Sequence, residues 1–505
     1  MNNKKINLEK IKIYDDFLNK DVEFKISQNA LIKNNLKDVL KNIKIVNKLN
    51  DNFSCNAKID STKITDQKNS GRCWIFATLN MIRDHMVKKY NMENFEFSQS
   101  YIDFYDKLEK SNFFLNKMIQ LKDKELDDRN IQILLDNPAG DGGYFEMAAN
   151  LIQKYGLVPI SEMPDSFASK NTTYYNKLID IKLKQATIEI RNTKDEIECM
   201  KIKDETLKKV FEILVYFYGE PPVSFDVELK DKDKKEKIRI WRDLTPIKFF
   251  KKIDFNLSDF VSVTCTPYKK IKKNQMYSIK NTNYMYEKNN LSFLSVDKTT
   301  FKLLIISMLA NKKSLWFGCD VNHFFNIKDG VWDTELYDYK NFFNLNFYED
   351  LSKLIEYRHI AGNHAMVFQG FDYDEEKWKK AKKAFFSKNK TINLNDFDKL
   401  IQQLEIKKWN VENSWGDKNG NKGMFVISNN WFEKYVYEII ISKNNLKEYL
   451  NEPTILTKKE YSSFKAKNKK EKTDFFYEKY LNMGLNTKPI ELERWDPFNK
   501  KREGK

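Results

Sequence analysis

Apolar residues between Trp74 and Tyr90 recur at 75, 76, 79, 82, 86, 87 and 90. That is the i, i+3, i+4 spacing of an amphipathic helix, so the stretch is predicted helical. Residues 28–48, 99–121 and 145–155 carry the same period, and the last runs into Gly156 and then Pro159, a usual stop signal. Residues 173–218 read as mostly helical, and 223–241 alternate like a hairpin around the charged stretch Lys230 to Lys237. From Leu315 onward short apolar runs take over, at 315–319, 365–371, 409–413, 423–428 and 435–442, which predicts an antiparallel sheet. No repeat of 20 to 50 residues interrupts this order. Two charged stretches, 373–408 and 457–489, the second holding the lysine run Lys465 to Lys472, read as surface excursions. The pattern is that of an α+β protein.

Composition adds bounds. At 505 residues, 41% hydrophobic, with 25 Tyr and 37 Phe, the chain has ample material for a core. The net charge of +16 comes almost entirely from lysine, since only nine of the 88 basic residues are Arg. Lysine gives a diffuse field and not the bidentate fork that reads bases or phosphates. A lysine-rich solvated surface accounts for it, with nonspecific attraction to nucleic acid, acidic peptides or membrane surface as the other reading. Five cysteines (55, 73, 199, 265, 319) are scattered with no CxxC spacing. They suggest neither a disulfide framework nor a thiolate metal site, and they point to a reducing compartment. Charge at Glu9 and Lys10 breaks any signal-peptide core, and no apolar run approaches a membrane span. The expectation is a soluble, cytoplasmic protein without a membrane partner.

The chain has no GxxxxGK[ST], no GxGxxG after a strand, no GxSxG and no HExxH. Asp417, Asn419 and Asn421 imitate the start of a calcium loop, but Lys422 and Ser428 occupy the positions that need Gly and Glu. What stands out is Asp66-Gln67-Lys68-Asn69-Ser70-Gly71-Arg72-Cys73-Trp74. Here a cysteine sits where a glycine-containing loop enters the first turn of a helix. The unpaired N–H groups and partial positive charge of a helix N-terminus favour thiolate over thiol. A thiol nucleophile needs a base, and the base needs an acceptor that fixes its tautomer. His364, opening an apolar strand-like run, and Asn413, in Asn413-Ser414-Trp415-Gly416, supply both. Any one of the three alone reads as an ordinary core residue, but together they form a working set.

These residues resemble the papain superfamily of cysteine peptidases, and more closely its bleomycin hydrolase or aminopeptidase C family. The resemblance extends to Phe97-Ser98-Gln99, the run Asp106 to Asn112, Asp141-Gly142-Gly143, Lys154-Tyr155-Gly156, Met163-Pro164, Trp316 to Val321 and Val411 to Gly416. It continues through Trp431 to Glu438 and Trp495-Asp496-Pro497. It implies a papain-like core, with a helical subdomain and an antiparallel β subdomain, carrying a large helical and hook-like insertion. The implied division is an N-terminal arm (1–57), the nucleophile subdomain (58–160), the insertion used in oligomerisation (161–315), the His/Asn subdomain (316–450) and a C-terminal arm (451–505). The spacing agrees with an insertion. His364 and Asn413 lie 291 and 340 residues beyond Cys73, where the papain pattern has roughly 130 to 150.

The resemblance further implies roles. Cys73 attacks the peptide carbonyl, His364 protonates the leaving amine and later activates water, and Asn413 orients the imidazole under the shield of Trp415. Gln67 and the Cys73 N–H form the oxyanion hole, while Gly142, Gly143 and Asn363 receive the substrate backbone. No cofactor and no metal are implied. The partners are peptide substrates and further copies of the chain, in a homohexamer. The expected activity is cysteine aminopeptidase action on short peptides, extending to bleomycin-like amides. Two departures keep alternatives open. Segment 373–408 is added between His and Asn. The C-terminal arm carries the addition 457–489 and ends in the basic stretch Asn499 to Lys505 instead of a small apolar ending. In the resembling family the terminal carboxylate of that arm meets the substrate amine, so a cysteine endopeptidase of the same fold is an alternative. From a different class, a nucleic-acid-binding protein with secondary peptidase activity is suggested by the charge.

Overall fold

The computed structural model describes residues 5–19, 22–58, 63–233, 238–347, 349–388 and 394–443, with 456, 459, 460, 462, 483–494 and 496 from the C-terminal part. The helix predicted from Trp74 runs from Cys73 to Tyr90 and ends at Asn91 in the left-handed conformation. It is buried nearly all round, as expected for a helix sandwiched between two layers. Against it pack Gln99–Gln120, opened by the Ser98 hydroxyl accepting the Tyr101 N–H at 3.1 Å, and Phe145–Tyr155, closed by Gly156. Gly156 has φ +82°, and a Cβ there would meet the Pro246 carbonyl carbon at 2.2 Å, so only glycine fits this crossing. The predicted helix 28–48 is broken into Val22–Lys33, Leu36–Leu40 and Ile43–Lys48, because Asn35 and Asn42 turn their side chains onto following N–H groups and start new helices. Residues 173–218 form two helices, Thr173–Asn192 and Glu196–Tyr218, the second capped by Asp195. The hairpin of Phe225–Lys230 with Ile238–Leu244 follows, and its inward residues Phe225, Val227 and Leu229 join the same core.

The second half is organised on a 12-stranded sheet. Its centre is Val436–Ser442, Leu315–Cys319, His364–Tyr373, Ile406–Glu412 and Met424–Ser428, all antiparallel as predicted. At the edges three pairings are parallel, among them Ile490–Leu492 with Gln275–Ile279 and Phe260–Thr264 with Ser292–Ser295. The structure differs here from the sequence division at 315. Strands 260–264, 275–279 and 292–295 extend the same sheet, and helix Lys298–Ala310 buries its apolar residues against it. Their runs of four or five residues are too short to show a period. Segment 373–408 contributes helices Glu375–Lys388 and Leu394–Gln402, and these are not purely surface, since Trp378, Phe385, Leu400 and Ile401 belong to the same buried core as Phe371 and Trp409. Most of 457–489, and all of Asn499 to Lys505, lies outside the described residues.

A buried ionic cluster ties the helical layer to the sheet. Arg83, on the Cys73 helix, donates to Glu412 at 2.8 Å and to Asp84 at 3.1 Å. Gln369, on the His364 strand, donates to Asp84 and to Glu412, each at 3.0 Å, and the Ser314 hydroxyl completes Asp84 at 2.8 Å. Removing one partner of a buried pair leaves the other charge uncompensated and costs about 3–5 kcal/mol. Glu412→Ala is therefore expected to lower the stability measured by urea unfolding by that order, and Glu412→Gln, which keeps an acceptor for Arg83, by less. Losses below about 1 kcal/mol in both variants would show that the cluster does not join the layers.

Candidate active site

The strand register brings the candidate residues to one end of the sheet. His364 is the first residue of its strand, and Asn413 follows directly on Ile406–Glu412, the antiparallel neighbour. His364 Nε2 lies 2.8 Å from Asn413 Oδ1. A carbonyl oxygen only accepts, so Nε2 carries the proton and Nδ1 is the basic nitrogen of the neutral ring. Trp415 covers the pair, its ring centroid 4.9 Å from that of His364. Asn413 is fully buried and held in turn by the Ser414 N–H, which donates to Oδ1 at 2.8 Å.

Cys73 stands at the first position of its helix, behind Arg72, whose side chain provides no cap. It keeps part of its surface open to a cleft of about 850 Å³, which Gln67, Gly142, Gly143, Asn363, His364 and Trp415 also line. Burial pushes its thiol up to about 11, against the N–H groups of Ala365, Trp74 and Cys73 itself, which favour thiolate. Burial likewise pushes His364 down to about 4, with the Asn413 bond pulling the other way. Each shift is the cost of making one charge alone. The two shifts oppose a lone thiolate at Cys73 and a lone imidazolium at His364 in the same buried cleft wall.

Gln67 is fixed from both sides. Its Nε2 donates to the Ser70 carbonyl at 2.6 Å, and its Oε1 accepts from the Ser414 hydroxyl at 2.6 Å, so the nitrogen end faces the loop before Cys73 and keeps a second hydrogen. At Gly143 a Cβ would lie 2.4 Å from the Trp74 indole, so glycine lets this loop close on the Cys73 helix. The Asn363 side chain does not face a substrate as a free amide. It donates to Asp320 at 2.8 Å and accepts the Val321 N–H at 2.9 Å, which braces the residue before His364.

Sequence reasoning missed the groups that hold the glycine loop. Lys107 donates to Asp141 at 2.6 Å and to the Ala139 carbonyl at 3.1 Å. Lys110 donates to Asp106 at 2.6 Å and to the carbonyls of Gly140 and Gly142 at 2.8 and 2.7 Å. The signal was present, since Asp103, Asp106, Lys107 and Lys110 share a helical spacing with the apolar stripe that continues to Phe114 and Met118. Arg494 and Glu438 also line the cleft. Among the described residues no group of three His, Cys, Asp or Glu is arranged to hold a metal, and no helix is long and apolar enough to cross a membrane.

Residues 5–385 and 391–462 match the Peptidase C1-like family. The break falls inside the segment read as an addition between His and Asn. Aminopeptidase E of Lactobacillus helveticus is 32% identical over 87% of this chain and 94% of its own length. The bleomycin hydrolase of Homo sapiens is 31% identical over 90% and 98%. A crystal structure of PepW from Lactobacillus rhamnosis HN001 superposes with a TM-score of 0.80 at 30% identity, covering 98% of this chain and 99% of that one.

The opposed shifts at Cys73 and His364 give a test. In a His364→Ala protein the Cys73 thiol has no proton acceptor and stays protonated at neutral pH. Its alkylation by iodoacetamide at pH 7 is expected to slow by roughly a hundredfold, and to recover only as pH approaches the raised thiol value. Equal rates in both proteins at pH 7 would show that His364 does not make the thiolate.

Proposed function

The chain belongs to the Peptidase C1-like family, and from that membership we propose that it is a cysteine aminopeptidase that releases amino-terminal residues from short peptides through Cys73, His364 and Asn413. The observation that carries the reading is the 2.8 Å bond from His364 to Asn413 under Trp415, in the same cleft as a cysteine at a helix start. The proton of Cys73 passes to His364, and the thiolate attacks the scissile carbonyl carbon. The carbonyl oxygen takes the negative charge, met by the Cys73 N–H and the Gln67 amide. As the C–N bond breaks, His364 gives its proton to the leaving amine, and an acyl thioester remains on Cys73. His364 then takes a proton from water, the hydroxide adds to the thioester, and the carboxylic acid leaves with return of the thiolate.

The relatives named aminopeptidase E and aminopeptidase C support cleavage at the amino end, and the one named bleomycin hydrolase extends the substrate class to related amides. Assembly into a homohexamer is supported by apolar side chains exposed on the N-terminal helices, among them Leu8, Ile13, Phe17 and Val22, and by Ile188 and Ile197 on the inserted pair. A cytoplasmic location is supported by the five free thiols. The lysine surface adds weak, salt-sensitive attraction to nucleic acid.

Peptides with free and with blocked amino termini separate the two proteolytic readings. The expected result is cleavage of the free form only, one residue at a time, with kcat/KM falling at least about a thousandfold in Cys73→Ala. Equal cleavage of both forms would make the protein an endopeptidase. Light scattering is expected to give a multiple of the 60.3 kDa chain mass, and a monomer would refute the assembly.

A further inference from the structure

Gly71 is held by Asp141 and Arg72 by Asp103 and Ser169, and side chains of the inserted segment hold both carboxylates in turn. Asp141 is the first node. Its Oδ2 accepts the Gly71 N–H at 2.9 Å and the hydroxyl of Thr172, and its Oδ1 accepts from Lys107 and, at 2.5 Å, from Asn176. Its backbone carbonyl accepts the Trp74 indole N–H at 2.7 Å. Burial works against its charge, but Lys107 and these donors hold the carboxyl well below the usual carboxylate range. Asp103 is the second node. It accepts the hydroxyls of Tyr175, at 2.9 Å, and Tyr218, and faces the fully buried Arg72 guanidinium, whose Nη2 donates to the Ser169 carbonyl at 2.6 Å. Ser169, Thr172, Tyr175, Asn176 and Tyr218 all belong to the segment after residue 160, the part that a papain-sized core lacks.

Thr172 is informative because it precedes helix Thr173–Asn192 at the capping position, yet its side chain makes no capping bond. The hydroxyl goes to Asp141 instead. Gly71 and Arg72 lead directly into the Cys73 N–H, so a shift at Asp141 displaces an oxyanion donor. We propose that the inserted helix pair is part of the catalytic scaffold, with Thr172 and Asn176 acting as positioning residues that hold the Gly71–Cys73 backbone through Asp141. This rests on the reading of Cys73 as the nucleophile. The hydrolytic step needs the oxyanion donors, while alkylation of the thiolate does not.

Thr172→Val keeps the shape and removes the hydroxyl, and Thr172→Ser keeps the hydroxyl. For an aminoacyl anilide substrate, kcat in Thr172→Val is expected to fall about tenfold with KM within about twofold, since a misplaced donor weakens only the transition state. Iodoacetamide alkylation of Cys73 in the same variant should stay within about twofold of wild type, and Thr172→Ser should keep at least about half of kcat. Asn176→Ala, at a half-buried position, is the second variant should Thr172→Val fail to fold, and the same split is expected there. Unchanged kcat, a parallel loss of kcat and alkylation, or a Ser variant as impaired as the Val variant would each overturn the proposal. Wild-type protein that is not alkylated at Cys73 would overturn the nucleophile reading instead.

Discussion

The Arg83 guanidinium, buried between Asp84 and Glu412 with Gln369 closing the cluster, is the contact on which the rest of the site depends. Cys73 belongs to a helix and His364 to a sheet, so their separation is a distance between layers, and no local turn sets it. Apolar packing is nondirectional and leaves two layers free to slide by fractions of an ångström. A forked cation bonded to both layers does not allow this, because each displaced bond exposes a buried charge. Glu412 is also the residue immediately before Asn413. The cluster that joins the layers therefore also fixes the strand end carrying the orienting amide.

On the other side of the cleft the same physics works through lysine. Lys107 and Lys110 stand fully or nearly fully buried in the helical layer, each facing a carboxylate and pulling carbonyls of the loop 139–142 toward itself. A glycine-rich loop pays in chain entropy for its close approach to Trp74 and is loose by default. Four hydrogen bonds from two ammonium groups restrain it. The proposed chemistry at Cys73 needs this wall and the sheet wall at fixed separation, because a preorganised site loses rate steeply with small displacement.

Elements with a long, clean period were legible from the sequence. The Cys73 helix, the helix at 99–120 and the five central strands all fall within a few residues of their predicted bounds. So did the meeting of a helix-start cysteine with His364 and Asn413, since each sat on an element whose type the pattern already gave. What was not legible depends on partners distant in sequence. The strands at 260–264, 275–279 and 292–295 are too short for their alternation to show, and they exist because neighbours in the sheet complete their hydrogen bonds. Asn363 offered an amide beside His364, but Asp320 and Val321, more than forty residues earlier, take both ends of it. Asp106 and Lys110 pair within one helix, but Asp103 meets Tyr175 and Tyr218 and Lys107 meets Asp141, partners that the sequence cannot bring near.

Arginine use makes the same distinction between field and fork. With nine Arg among 88 basic residues, the charge of +16 is a property of lysine on the surface. Yet Arg72 and Arg83 are almost completely buried, and Arg494 nearly so in the cleft wall. Burial pushes Lys110 down from the ordinary lysine range while Asp106 pulls it back, whereas a guanidinium keeps its charge at any working pH. The scarce residue thus sits where a permanent, directional cation is needed, one position before Cys73 and between the layers. The abundant residue supplies the solvated exterior and, at Lys107 and Lys110, a point charge that a carboxylate must hold in its ionised form.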